Sequence, residues 1–353
     1  AENGKATEVS LKIGSQEIPI TVTSTNGAVE TTTLHVLRNV DGSAYTVPTR
    51  PQYHFSQAMG WSNDPNGMLY YKGEWHLFFQ YNQARTTWGE LEWGHAVSKD
   101  LIHWEELPRP LNYQEDNGAM FSGCGVVDDE NTSGLFGDEK GPGKGGLIAL
   151  YTQNNELNGH RGQDQCIAYS KDNGRTWTKY RGNPILKWDE DHLKDTAFRD
   201  PKVFRHDGKW FMVLAGGILR IYSSNDLIHW NIESTYKGSD DIGNPAGLRV
   251  ETECPDMYPL TADDGTTKWV ISEGGRYYRI GDLKKIDGHW TFVQDKDSDR
   301  YVMNFGPHSY AAMTYYIGNG ETTNGKPENR RIMINWASTW ADGYCNNVDK
   351  VTG

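Results

Sequence analysis

Three acidic residues stand before a proline, directly or through a cysteine, in widely separated stretches: Asp64-Pro65, Asp200-Pro201 and Glu253-Cys254-Pro255. One such pair is ordinarily a turn signal. Each of these three is followed by a Trp-led apolar run, Trp75 to Tyr81 (WHLFFQY), Trp210 to Ala215 (WFMVLA) and Trp269 to Ser272 (WVIS), so the acids hold matched places in a repeat. Carboxylates gathered into one pocket repel one another, and that forces one pKa upward. Cleavage of a glycosidic bond uses such a split. One ionised group attacks or stabilises an oxocarbenium-like carbon, and one protonated group donates to the leaving oxygen. A calcium ion held by the three carboxylates is the competing reading. The chain has no G-x-S-x-G elbow, Walker loop, G-x-G-x-x-G turn or H-E-x-x-H pair to suggest other chemistry.

The elements that would position these acids are strands. Helical periodicity is scarce after Arg50, while short β-rich runs separated by Gly, Asn and Asp recur. Two repeats close on nearly the same phrase, Ser98 to Trp104 (SKDLIHW) and Ser224 to Trp230 (SNDLIHW). Ser170 to Trp177 (SKDNGRTW) is a variant, closing a segment with inner strands at Phe121 to Val127 and Leu147 to Thr152. A last segment holds Tyr310 to Ile317 and Arg331 to Trp336. Five units of roughly 50 to 70 residues, each a four-stranded sheet that must cover its faces by radial stacking, predict a five-bladed β-propeller. A β-sandwich would not return similar phrases in the same order. In a propeller the first strand of every blade lines the axis, which would bring Asp64, Asp200 and Glu253 together. Residues 1–49, rich in Thr, Val, Ser and Glu, form a β-rich N-terminal segment or the end of an upstream module, with alternation at Glu8 to Ile13 and Glu17 to Val22. The propeller is expected over 50–345.

Composition narrows the partners. The 353 residues carry 35 Lys and Arg against 47 Asp and Glu, a net charge of −12, without a basic cluster, which disfavours nucleic acid. No apolar run is long enough to span a membrane, and the chain opens without a basic-then-apolar leader. Cys124, Cys166, Cys254 and Cys345 lack metal-ligand spacing; two disulfides are conceivable, and buried thiols are the preferred reading. Asn131-Thr132-Ser133 fits a glycosylation sequon, a pattern common by chance. His95, His103 and His229 lie in repeat phrases and are assigned no chemistry.

WSNDPNG at 61–67, FFQYN at 78–82, WGHAVSKDL at 93–101, FSG at 121–123, FRDPKVF at 198–204 and ECPD at 253–256 together resemble glycoside hydrolase family 32, the family of invertases, inulinases and levanases. The resemblance runs from Tyr53 to Trp340. It implies a five-bladed propeller and a retaining double displacement at β-fructofuranosides. Asp64 matches the family's nucleophile, Glu253 its acid/base and Asp200 its transition-state stabiliser. Asn63, Gln80, Trp88, Phe121, Ser122, Arg199 and Trp336 match positions lining the terminal fructose pocket, although Trp88 and Trp336 fit packing between blades equally well. Arg199 is expected to pair with a pocket carboxylate. No metal and no cofactor are expected.

The sequence departs from the family pattern at Ser62, Thr252 and His308-Ser309. Residues 346–353 read as the start of a linker to a C-terminal β-sandwich absent from this chain. The expected activity is fructan hydrolysis of the levanase or inulinase type, extracellular or at the cell surface, on a fructan or sucrose-type carbohydrate, with flanking modules in a longer chain. An invertase or fructosyltransferase of the same fold, or a non-catalytic fructan-binding module, are the alternatives.

Overall fold

The computed structural model describes residues 9–10, 14–38, 50–51, 53–112, 118–155, 162–188, 197–216, 218–236, 253–296, 300–304, 306, 308–317, 322–323, 326–327, 331–338 and 340. Thr252, Cys345 and the expected linker at 346–353 lie outside them. The described residues form strands and turns, with no helix.

The strands β1 (Gly14–Thr23) and β2 (Val29–Arg38) pair only with each other, in an antiparallel hairpin turned at Ser24 to Ala28. Gly27, at φ +83°, supplies the left-handed residue of that turn. Of the expected strand at Glu8 to Ile13, Val9 and Ser10 are irregular and the other residues lie outside the described ones, while the expected strand at Glu17 to Val22 falls within β1.

Four meandering antiparallel sheets follow, in which sequential strands are adjacent. The first contains β3 (Trp61–Tyr71), β4 (Glu74–Asn82), β5 (Glu92–Ser98) and β6 (Trp104–Leu111). The second contains β7 (Ala119–Asp128), β8 (Gly146–Asn154), β9 (Gln163–Ser170) and β10 (Thr178–Lys179). The third is built from β11 (Arg199–His206), β12 (Lys209–Ala215), β13 (Leu219–Ser224) and β14 (Trp230–Tyr236). In the fourth, β15 (Asp256–Thr261), β16 (Thr267–Glu273), β17 (Tyr277–Ile286) and β18 (His289–Gln294) are joined by the short β19 (Tyr301–Val302) on β17.

The last sheet is smaller among the described residues. The strand β20 (Tyr310–Thr314) pairs with the closing strand Met333–Trp336, while β21 (Tyr316–Ile317) adds in parallel to β3. Between them β22 (Thr322–Thr323) and β23 (Lys326–Pro327) pair with each other, which makes the closing strand β24. The first strands β3, β7, β11 and β15 contact one another in turn, and β20 returns to β3, so the sheets stand as blades of a β-propeller around an axis. Apolar side chains fill the spaces between blades; Phe204, Phe211 and Val213 of the third blade meet Met257, Trp269 and Ile271 of the fourth.

The recurring phrases are turns between the third and fourth strands of a blade. Ser98 Oγ accepts from Leu101 N at 2.8 Å, Asp100 Oδ1 accepts from Ile102 N and His103 N, and Trp104 Nε1 donates to Leu101 O. Ser224, Asp226 and Trp230 repeat those bonds around Leu227, and Ser170, Asp172 and Trp177 do so around Gly174. His103 and His229 each place Nδ1 2.7 Å from the turn aspartate, which accounts for them without chemistry. The sequon is structural too. Asn131 is buried, and its amide nitrogen donates to Gly137 O and Glu139 O. Cys124, Cys166 and Cys254 are buried free thiols.

Candidate active site

Four of the first strands break register, β3 twice, whereas β15 runs in unbroken register. Register breaks between Ser62 and Pro65 on β3, between Phe121 and Gly123 on β7, between Arg199 and Lys202 on β11, and between Tyr310 and Met313 on β20. Bulges of this kind re-aim side chains that a flat strand would send into the neighbouring sheet. Asp64, Ser122 and Asp200 sit within three of them. Asp200 and Ala311 have φ of +62° and +53°, and Cys254, just ahead of β15, has +44°. These are left-handed conformations that residues with a Cβ adopt at a cost.

The re-aimed side chains line one axial cavity of about 400 Å³, walled by Asn63, Asp64, Gln80, Trp88, Leu91, Phe121, Ser122, Gln163, Arg199, Asp200, Glu253, Cys254, Tyr310 and Trp340. All three expected carboxylates are there. Asp64 Oδ2 accepts from Ser122 Oγ at 2.6 Å, and Oδ1 accepts from Asn63 Nδ2 at 3.0 Å. Trp61 Nε1 fixes that amide by donating to Asn63 Oδ1 at 2.8 Å. Burial pushes the Asp64 pKa up, with Glu253 adding to the rise, while the Ser122 and Asn63 bonds favour the anion.

Cys254 joins two of the acids. Its backbone N donates to Asp200 Oδ2 at 2.9 Å, and its thiol lies 3.5 Å from Asp64 Oδ2. Asp200 is buried and its pKa is raised to about 7, first by desolvation and then by the charges of Asp64 and Glu253, against the pull of Arg199. Arg199 Nη2 pairs with Glu253 Oε1, and its Nε lies 4.0 Å from Asp200 Oδ2. The Tyr310 hydroxyl hydrogen-bonds the other Glu253 oxygen. A guanidinium therefore already lies between Asp200 and Glu253, where a calcium ion would have to sit, and the residues present do not fit that metal.

Of the expected pocket residues, Asn63, Gln80, Trp88, Phe121, Ser122 and Arg199 line the cavity, whereas Trp336 does not. It packs behind the wall against Trp61 at 6.0 Å and Trp340 at 5.1 Å, and Trp340 is the indole that reaches the cavity. No sequence signal separates them; the end of the strand does, since Trp336 ends β24 while Trp340 lies in the turn beyond it. Tyr310 was the other residue to find. It opens the first strand of the last blade, as Asp64 and Asp200 lie near the starts of theirs. Ser62 turns to Gln57, and Ser309 accepts from Asn335, so these two departures from the family pattern are spent on local structure.

A β-propeller with three carboxylates at one end of its axis is the class that fold and site define. The chain belongs to family 32 of the glycosyl hydrolases: residues 54–349 match the Glycosyl hydrolases family 32 N-terminal domain. It is 49% identical over 319 residues to a fructan beta-fructosidase of Streptococcus mutans, covering 90% of this chain and 21% of that protein. It is 42% identical over 325 residues to a levanase of Bacillus subtilis, covering 87% of this chain and 43% of that one. Among solved structures, the exo-inulinase from Aspergillus awamori superposes with a TM-score of 0.70 at 35% identity, over 84% of this chain and 61% of that one. The chain thus spans less than half the length of the two curated relatives named here. No helix among the described residues is long and apolar enough to cross a membrane.

Proposed function

We propose that this domain is a retaining glycoside hydrolase that cleaves β-fructofuranosidic bonds in fructans through a covalent fructosyl-enzyme intermediate. What carries the reading is the convergence of Asp64, Asp200 and Glu253 on one cavity. Asp64, held by two neutral donors, attacks the anomeric carbon of a terminal fructosyl unit. Glu253 gives a proton to the leaving oxygen and afterwards takes one from water. The carboxylate that donation leaves behind is held by Arg199 and Tyr310, which already face its two oxygens. Asp200 accepts from the hydroxyls of the ring in the transition state, its pKa raised to about 7 by burial. Asn63, Gln80, Ser122 and Arg199 supply further polar contacts, and Trp88, Phe121 and Trp340 supply apolar faces for the sugar.

Levan and inulin are the substrates of this reading, since its relatives include a fructan beta-fructosidase, a levanase and an extracellular exo-inulinase. An extracellular or cell-surface location belongs to it as well. Residues 50–345 are then the catalytic domain of a longer protein, with 1–49 and 346–353 leading to neighbouring modules.

The test is incubation with sucrose, inulin and levan, followed by sizing of the products. Asp64→Asn and Glu253→Gln are each expected to lower turnover by about a hundred- to ten-thousand-fold while the fold persists. Undiminished fructose release by either variant overturns the assignment. Saturable fructan binding by the native chain with no sugar released would make it a binding module instead.

A further inference from the structure

Asp200 must present its carboxyl from a backbone at φ +62°, and the break in register between Arg199 and Lys202 takes its N–H out of the β11–β12 ladder. Such a conformation persists where the surroundings over-determine it, and a buried N–H needs an acceptor. The acceptor comes from the preceding blade. Thr152 Oγ1 on β8 accepts from Asp200 N at 3.1 Å and donates to Gln165 Oε1 on β9 at 2.7 Å. Gln165 Nε2 donates to Phe198 O at 2.7 Å. Gln163 Oε1, also on β9, accepts from Phe198 N at 2.8 Å and from Arg199 Nη1 at 3.5 Å.

Three side chains of the second blade thus grip the peptide groups on both sides of Arg199, together with its guanidinium. All three are buried, Thr152 and Gln165 completely, and these two do not line the cavity. They act on the chemistry through the segment they hold, and Thr152 also stands opposite Phe121 in the β7–β8 ladder.

We propose that Thr152, Gln165 and Gln163 are positioning residues, a buried hydrogen-bond chain from one blade that fixes the left-handed Asp200 and the Arg199 that pairs with Glu253 in the next. The inference rests on the fructosidase reading for its kinetic consequence, not for its geometry. Sequence distance hides it, because Thr152 lies 48 residues before Asp200.

The experiment uses Thr152→Val, which keeps the shape and removes the hydroxyl, and Thr152→Ser, which restores it. On whichever of sucrose, inulin or levan the native protein hydrolyses, Thr152→Val is expected to lower kcat by about ten- to a hundred-fold with little change in KM, as misplacement of a reacting group does. Thr152→Ser is expected to stay within about threefold of native. A crystal structure of Thr152→Val is expected to show residue 200 out of the left-handed region and its carboxyl withdrawn from Cys254 N. Native kcat in Thr152→Val, or an unmoved Asp200, overturns the proposal. If Thr152→Val does not fold, Gln165→Met carries the same two readouts. A native protein inert on all three sugars would defeat the fructosidase reading alone, and the crystal structure would still decide whether Thr152 positions Asp200.

Discussion

At the scale of single residues, burial first, and neighbouring carboxylates after it, raise the pKa of both Asp64 and Asp200, the latter to about 7 against an ordinary 3.8. A carboxyl whose pKa is higher folded than unfolded binds more protons in the native state between those values. Its contribution to stability is full below about pH 4 and is lost as pH rises through 7, on the order of 4 kcal/mol in all. A second buried group slopes the other way. His76 Nδ1 lies 3.0 Å from His95 Nε2, and burial lowers the His76 pKa to about 4 from 6.5, so this pair loses stability as pH falls through that window. Between pH 6.5 and 8 the contribution of His76 and His95 is common to native and Asp200→Asn proteins and cancels in their difference, leaving that of Asp200. Asp200→Asn is therefore expected to gain stability relative to native across that interval, read by urea unfolding at each pH; parallel curves would rule this out. The acids themselves were legible in the sequence because each stands before a proline, directly or through a cysteine, at a matched place in a repeat. Trp340 was not, since two indoles four apart differ only in where β24 ends.

At the scale of elements, the repeat phrases translate into turns with one hydrogen-bond pattern, but each lies inside its blade, ahead of the fourth strand, and not at the close of the repeat where the sequence alone puts it. The bulges could not be read. They arise where a first strand meets its neighbours at the axis, a constraint that no local pattern carries. One consequence is close approach of backbones between blades. A Cβ on Gly125 of β7 would lie 2.4 Å from Gly67 O and 2.8 Å from Leu69 Cδ2 on β3. The carbonyl cannot move without disturbing the strand that carries Asp64. Gly125→Ala is expected to destabilise the fold by about 2–3 kcal/mol, whereas Gly306→Ala, with nothing within 4 Å of the added carbon, should change it by less than about 0.5 kcal/mol. Thermal unfolding of the two variants side by side checks the contrast, and equal melting temperatures would contradict it.

At the scale of the molecule, a ring of blades must be closed, and the sequence was least informative about the closure. The inner strands of the first four blades announce themselves by acid or FSG motifs, while the last blade draws on β20 and β24, between which residues 318–332 carry little repeat signature. The structure supplies a tie there. Lys202 on β11, nearly fully buried, donates to Thr314 O on β20 and lies 3.4 Å from Asp256 Oδ2 on β15. Asp256 Oδ2 in turn accepts from Thr314 N at 2.6 Å, so one ion pair links three blades just below the acids. A buried pair of this kind adds little over an apolar substitute, but removing one partner strands the other charge, at about 3–5 kcal/mol. Lys202→Met should therefore be costly, and adding Asp256→Asn should recover part of the loss because no charge is then left alone. Urea unfolding of native, single and double variants measures this coupling. A double variant as unstable as the sum of both single ones would mean that the two residues act independently and that the ring is closed by apolar packing alone.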